Sequence, residues 1–320
     1  MRILFIPDYA VWNPYQSLLK KALEKAGAQV SSAGNFSLRD AFRRRGELDV
    51  VHIHWTRPFF DTSSSARFYI RLGKSMVILL VTRVLGIDIV WTVHNLVSHD
   101  SFWPKGEFIF NVFLITIAKA VIVHSERCRG QFLDEYHGLG RKKVTVVPHG
   151  HYVGAYRNCI SRDEARRRLE FGPGDRVFLC MGNVRPYKGL EACIRSFRNI
   201  EDPCARLMIT GKPITDAFAQ ELHRCCAPDQ RIRCAFGFVA DDDLQVYLNA
   251  ADVMVLPFQN IFTSGSLILG MSFSRPIVAP RMGAVPDYLD GSGAFLYDPE
   301  DPEGLANAMR AALQGWTSCL

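Results

Sequence analysis

The sequence predicts an α/β protein made of two Rossmann-like domains facing across a cleft. Three observations carry this. Short β-branched runs alternate with helix-period segments along all 320 residues, and strand–helix–strand repetition means a parallel sheet covered on both faces. The rhythm breaks at HGHYVGAYRN (149–158), which is rich in turn formers and has no periodicity. The length suits two domains of ordinary size. This places one domain at 1–150, a linker at 151–160 and a second domain at 161–320.

Taken in order, the first half offers strands at RILFI (2–6), AQVSSA (28–33), DVVHIHW (49–55), DIVWTVHN (88–95), AVIVHS (120–125) and KVTVVPHG (143–150). Helical patterns fill the gaps. In YQSLLKKALEKAG (15–27), Leu18, Leu19, Ala22, Leu23 and Ala26 share one face, and Gly27 stops the helix. After the break, Ser161 with Glu164 three residues on forms a capping box. Strands follow at RVFLCMG (176–182), ARLMITG (205–211), RIRCAFGF (231–238), DVMVLPF (252–258) and RPIVAP (275–280). DPEGLANAMRAALQGWTSCL supplies one closing helix. Ligands of such sheets bind at the carboxyl ends of the strands.

Composition narrows the class. The chain is 48% hydrophobic and 22% charged, so it is globular. Nine cysteines contain no C-x-x-C pair, which points to reduced, packed thiols rather than a disulfide framework or zinc ribbon. No secretory signal is expected, because RILFI runs straight into a strand pattern. Residues 1–150 hold 20 Lys and Arg against 12 Asp and Glu, a balance of +8, so 151–320 carries −2 of the net +6. A basic half suits nucleic acid, a membrane surface or an acidic substrate. The interleaved aromatic and basic motif of common RNA modules is missing, so nucleic acid is not expected.

Two apolar stretches bear on the membrane, 66–86 and 102–123. Neither gives the ~20 uninterrupted apolar residues that a spanning helix needs. Arg67, Arg71, Lys74 and Arg83 interrupt the first; Asn111 and Lys119 interrupt the second. Each reads either as a core helix plus strand or as a helix lying in the bilayer interface.

The chemistry gathers in the second half. In MGNVRPYKGLEACI (181–194), Gly182 ends a strand, Arg185 and Lys188 sit in the loop, and Gly189 opens a helix. Two cations at the carboxyl end of a parallel strand suit a diphosphate. In FGFVADDDLQVYLNAADVMVLPF (236–258), a strand ends at Phe236, Gly237, Phe238 and Val239, and Asp241, Asp242 and Asp243 are read as a helix cap. Next comes FTSGSLILG (262–270), with Thr263, Ser264, Gly265 and Ser266 before an apolar run. Ser and Thr cap helices. A bare helix start with free N–H groups is also an anion site.

In this order, with MSFSRPIVAPRMGAVPDYL after them, these segments resemble the nucleotide-sugar-binding domain of GT-B glycosyltransferases. The likeness is strongest to the large retaining family called family 4 or "group 1". DVVHIHW and VWTVHNLVSHD match its acceptor-domain elements more weakly, so the resemblance spans nearly the whole chain. It implies that the N–H groups at 263–266 hold the donor diphosphate beside Arg185 and Lys188, with Gly189, Phe238 and Val239 completing the donor site. It implies no metal; with 241–243 read as a cap, no Asp-x-Asp site is expected. His94, in TVHN, would contact the donor sugar; the alternative is a packed or capping histidine. The chain also departs from the pattern. The family usually carries two Glu eight residues apart around this turn, and Ile261 and Leu269 stand there. Its loop Arg usually follows the Gly directly, where Asn183 stands. The first loop, PDYAVWNPY (7–15), lacks the frequent Gly pair.

Other candidates come from position. His99 and Asp100 follow the TVHN turn and suit a general base if the enzyme inverts; otherwise they are solvated loop residues. His52 and His54 share one strand face at a spacing found in some metal sites. No third ligand is evident nearby, so structural roles are favoured. Asp287 bonds sugar hydroxyls or caps a short helix.

The expected activity is transfer of a hexose or uronic acid from a UDP- or GDP-linked sugar to a hydroxyl acceptor. The basic, apolar first half points to a polyprenyl-diphosphate-linked acceptor, an anionic membrane surface and surface-polysaccharide biosynthesis. It implies a cytoplasmic protein, peripheral on the inner face of the cell membrane. The missing Glu pair leaves two alternatives, a non-catalytic nucleotide-sugar binder and an inverting transferase.

Overall fold

The computed structural model describes residues 1–10, 13–97, 101–289 and 293–317. The chain divides into two compact units, Met1–Gly150 and His151–Leu320.

In unit 1, the elements are β1 (Arg2–Ile6), α1 (Pro14–Lys25), β2 (Gln29–Ser32), α2 (Leu38–Arg43), β3 (Val50–Ile53), α3 (Ser65–Val84), β4 (Asp88–Thr92), α4 (Pro104–Ile117), β5 (Ala120–Val123), α5 (Glu126–Glu135) and β6 (Val144–Val146). The strands form one parallel sheet, ordered β2-β1-β3-β4-β5-β6. The chain reverses its direction of winding between β1 and β3, which makes that gap the switch point.

Unit 2 holds α6 (Arg162–Arg168), β7 (Arg176–Met181), α7 (Leu190–Arg198), β8 (Ala205–Gly211), α8 (Asp216–Cys226), β9 (Ile232–Phe236), α9 (Leu244–Ala250), β10 (Val253–Val255), α10 (Gly265–Ser272), β11 (Ile277–Pro280), α11 (Val285–Tyr288), β12 (Ala294–Tyr297) and α12 (Gly304–Thr317). Its parallel sheet runs β12-β11-β10-β7-β8-β9, with the switch point between β7 and β10. Alternation along β7 feeds a core on each face. Phe178 and Cys180 join Leu190, Phe197 and Met309 on one side. Val177, Leu179 and Met181 join Leu248, Leu267 and Phe273 on the other.

Several local expectations change. The α1 face is narrower than its periodicity suggests: Leu19 and Leu23 pack on Ile3, Phe5 and Val30, while Ala22 and Ala26 are exposed. Ser161 Oγ accepts the Glu164 N–H, but the Glu164 carboxylate turns to Arg167 and Arg168, so only half of the capping box forms. Asp241–Asp243 is a 3-10 turn with no side-chain cap. β12 was not expected; its four residues are all half-buried and show no alternation.

Residues 151–160 pack against unit 2. The Tyr152 N–H donates to Ser272 Oγ, the Cys159 N–H to Gln245 Oε1, and Asn249 Nδ2 to Asn158 Oδ1. Asp252 is buried and receives Arg162 and Arg166, each at 2.6 Å, and the Val177 N–H at 2.8 Å. This ties α6 to β7 and β10. The eight described cysteines are free thiols.

The apolar stretch 66–86 becomes α3, with one face in the core and one outside. Phe68, Leu72, Ile78 and Leu79 are buried. Tyr69, Ile70, Val77, Leu80 and Val84 are 48–79% exposed. Among the described residues no helix is long and apolar enough to cross a membrane.

Candidate active site

The donor-side candidates collect at the switch point of unit 2. Lys188 follows β7 and Ser266 lies in the first turn of α10, after β10; Lys188 Nζ donates to Ser266 Oγ at 3.2 Å. The same ammonium lies 4.9 Å from the centre of the Phe258 ring. Burial, helped by the neighbouring Arg185 charge, lowers the Lys188 pKa to about 8. A diphosphate would return the opposite charge that this cation lacks.

Arg185 is on the same loop, but its guanidinium folds back, donating to the Val184 and Lys212 carbonyls at 3.2 and 3.4 Å. Ser264 Oγ accepts the Leu267 N–H at 3.1 Å, so its hydroxyl is a cap. The N–H groups of Gly265 and Ser266, in the first turn, have no carbonyl one turn back within the helix. The capping hydroxyl and these N–H groups are thus different atoms of the same turn. A Cβ on Gly265 would meet only the Tyr152 hydroxyl, at 3.5 Å, so this helix start is open. Gly189 is needed for its shape: its φ is +67° and a Cβ would lie 2.1 Å from the Pro257 oxygen.

Phe238 and Val239 lie elsewhere on the same edge. They line a cavity of about 350 Å³ after β9, together with Gly237, Val246 and Tyr247. Ile261 is buried, and Leu269 packs on the same core, so these two positions are built into the interior. Asp287 is exposed, and α11 has no side-chain cap.

One feature of this edge was missed. β7, β8 and β9 all run into glycines: Gly182, Gly211 and Gly237, with φ of +121°, +135° and +154°. The Gly237 N–H donates to the Gly211 carbonyl, and a Cβ on Gly211 would lie 1.8 Å from the Gly182 oxygen. The three strand ends MG, TG and FG were the available signal.

Unit 1 carries histidines at the carboxyl edge of its own sheet. His52 and His54 (β3), His94 (β4), His124 (β5) and His149 (β6) follow successive strands. His52 and His54 stack at 4.2 Å, His94 and His124 are 5.3 Å apart, and His124 and His149 are 5.1 Å apart. Tyr15 touches His54, His94, His124 and His149, and Trp55 stacks on His94 at 4.5 Å. The His52 ring shares a hydrogen bond with Thr92 Oγ1, and His124 Nδ1–H donates to the Val147 carbonyl. Burial lowers His52 to about 3 and His124 to about 4, and pushes His54 and His94 well down. The row is therefore neutral at pH 7.

His52 and His54 have histidine neighbours that spacing alone did not show. Among the described residues no group of three His, Cys, Asp or Glu could hold a metal ion. His94 is packed and also stands at the carboxyl edge. His99 and Asp100 lie outside the described residues.

Residues 175–315 match the family described as Glycosyl transferases group 1. A GDP-mannose:glycolipid 4-beta-D-mannosyltransferase of Xanthomonas campestris pv. campestris is 29% identical over 311 residues, covering 95% of this chain and 82% of that enzyme. The D-rhamnosyltransferase WbpZ of Pseudomonas aeruginosa is 23% identical, covering 88% and 69%. In fold, the chain resembles Anabaena Alr3699/HepE, solved in complex with UDP, with a TM-score of 0.74 over 99% of this chain and 91% of that one, at 16% identity. Two doubly wound units, matched over almost their whole length by that structure, give the chain the GT-B fold. The family match is carried by residues 175–315, and the chain is a glycosyltransferase, an enzyme that moves a sugar from a nucleoside diphosphate to a hydroxyl acceptor.

Proposed function

We propose that this enzyme transfers a hexose from a GDP-linked sugar to a lipid-linked glycan at an anionic membrane surface, without a metal. The outer face of α3 carries the reading. It presents Tyr69, Ile70, Val77, Leu80 and Val84 to solvent, with Arg67, Arg71 and Lys74 along one edge. Trp103, beside the exposed Phe102, extends it, its ring 6.5 Å from that of Tyr69. A water-soluble acceptor needs no such surface. A lipid-linked one does, since apolar side chains enter the acyl boundary and cations meet headgroups. Each Lys or Arg near an anionic surface contributes about 1 kcal/mol, so three suffice for reversible attachment.

The donor choice is supported by the relative named for GDP-mannose and a glycolipid. On this reading Lys188, Arg185 and the first turn of α10 stabilise the leaving diphosphate, the role a metal has elsewhere. Phe238 and Val239 flank the base. The relative's named β-linkage supports an inverting course, for which Asp100 is the base to test.

Vesicle flotation tests the membrane reading. The chain is expected to float with phosphatidylglycerol vesicles at low salt and to remain behind with neutral ones. No flotation, or equal flotation with both, refutes it.

A further inference from the structure

A cavity of about 410 Å³ opens in unit 1 that the donor site does not use. Its floor is the end of β1 at Ile6, and its walls include Ser37, Phe59, Arg71, Lys74 and Ser75. It therefore sits at the β1/β3 switch point, where a sheet of this order takes ligands. Its size is that of an ordinary small-ligand pocket.

The charges in it are unbalanced. Arg71 and Lys74 lie three residues apart on α3, so their side chains are neighbours. Arg71 donates to the Asp61 carbonyl at 2.7 Å, and neither cation forms an ion pair with a carboxylate among the described residues. Two acids bound to its lining or to its rim are engaged: Asp61 with Arg57, and Asp40 with the Ser37 N–H and hydroxyl. The Ser37 and Ser75 hydroxyls already donate to Asp40 and to the Phe59 carbonyl, so the two unneutralised cations are what select the ligand, and they select an anion such as a phosphate ester.

The pocket also adjoins the apolar track. From Lys74 the same helix continues through Val77 and Val81 to Val84, about 15 Å along its axis. An anionic head and an apolar tail are thus presented side by side. We infer that this cavity holds the phosphate or diphosphate of the lipid-linked acceptor, with its hydrocarbon chain along the outer face of α3. The inference rests on the lipid-linked acceptor proposed above.

The experiment is calorimetric titration of the full chain with geranyl diphosphate under saturating GDP, which keeps the probe out of the donor site. Lys74→Ala removes no hydrogen bond of the fold; the second variant adds Arg71→Ala. The wild type is expected to bind geranyl diphosphate and not geraniol. Lys74→Ala should weaken it by about tenfold, the double variant further, with GDP affinity unchanged. No binding by the wild type, or equal binding by both variants, overturns the inference. Flotation on phosphatidylglycerol vesicles separates the sources. If the double variant loses flotation but keeps geranyl diphosphate affinity, the cations serve headgroups and the inference is wrong. If the wild type floats yet binds no geranyl diphosphate, the inference fails and the membrane reading stands. If geranyl diphosphate binds through Lys74 and no vesicle is bound, the cavity assignment holds and the membrane reading fails.

Discussion

At the carboxyl edge of the first sheet, four successive strands run into histidines; at that edge of the second, three run into glycines. Both rows stand at carboxyl ends of strands, but the histidines follow the strands wound after the switch point and the glycines those wound before it. Imidazoles fill their edge with stacked, desolvated rings that bear no charge at pH 7. The glycines let backbone pack on backbone, Gly211 against the Gly182 carbonyl, and bring Gly182 close to Ser266 and Lys188; Gly237 alone faces open space. The difference teaches which side is built to receive charge. An edge of neutral rings suits sugar hydroxyls; a closely packed backbone edge beside a cation suits a diphosphate.

The harshest way to break this comparison is Gly211→Ala. Its Cβ would collide with the Gly182 carbonyl, at a φ unsuited to alanine. Strain and overpacking together should cost roughly 3 kcal/mol or more. Thermal unfolding should show the loss, with nucleotide binding abolished.

Lys188→Ala comes next. Nucleotide binding should weaken by about 1.5–3 kcal/mol, the scale of a hydrogen bond to a charged group. In the wild type, affinity should decline as pH rises through about 8, where the ammonium deprotonates. An ordinary lysine would hold its proton to about 10.4. Unchanged affinity in the variant removes the diphosphate from this site.

Acid sharpens the contrast between the units. His52 and His124 have folded pKa values lowered to about 3 and about 4. Below about 6.5 the unfolded chain binds protons that the folded unit excludes, so stability falls as pH drops toward those values. Near pH 5.5 each should cost roughly 1 kcal/mol. Hydrogen exchange at pH 7 and 5.5 should show faster opening in unit 1 than in unit 2. Equal acceleration in both would dissolve the distinction.

The smallest effect expected is none. Transfer should survive EDTA if, as proposed, Lys188, Arg185 and the α10 turn serve the diphosphate. Loss of activity restored by Mg²⁺ or Mn²⁺ would reject that scheme.

What was legible in the sequence follows a physical line. Strand cores such as RVFLCM and ARLMITG showed themselves because residues buried on both faces leave an apolar run. AFLY did not, because a half-buried edge strand leaves no such contrast. Lys188 and Ser266 were found through a motif, although 78 residues separate them. The histidine and glycine rows were not found. Each member looks ordinary in its own segment, and only the lateral order of strands makes a row. Ala22 and Ala26 erred the other way, because helical periodicity cannot say how wide a face the neighbours cover.

The packing of residues 151–160 decides where the chain can be divided. A fragment beginning at 161 would strip Gln245 and Asn249, both buried, of the Cys159 N–H and Asn158 side-chain partners they have now. Each orphaned amide would cost about 1–3 kcal/mol. The compact second unit accordingly starts at His151.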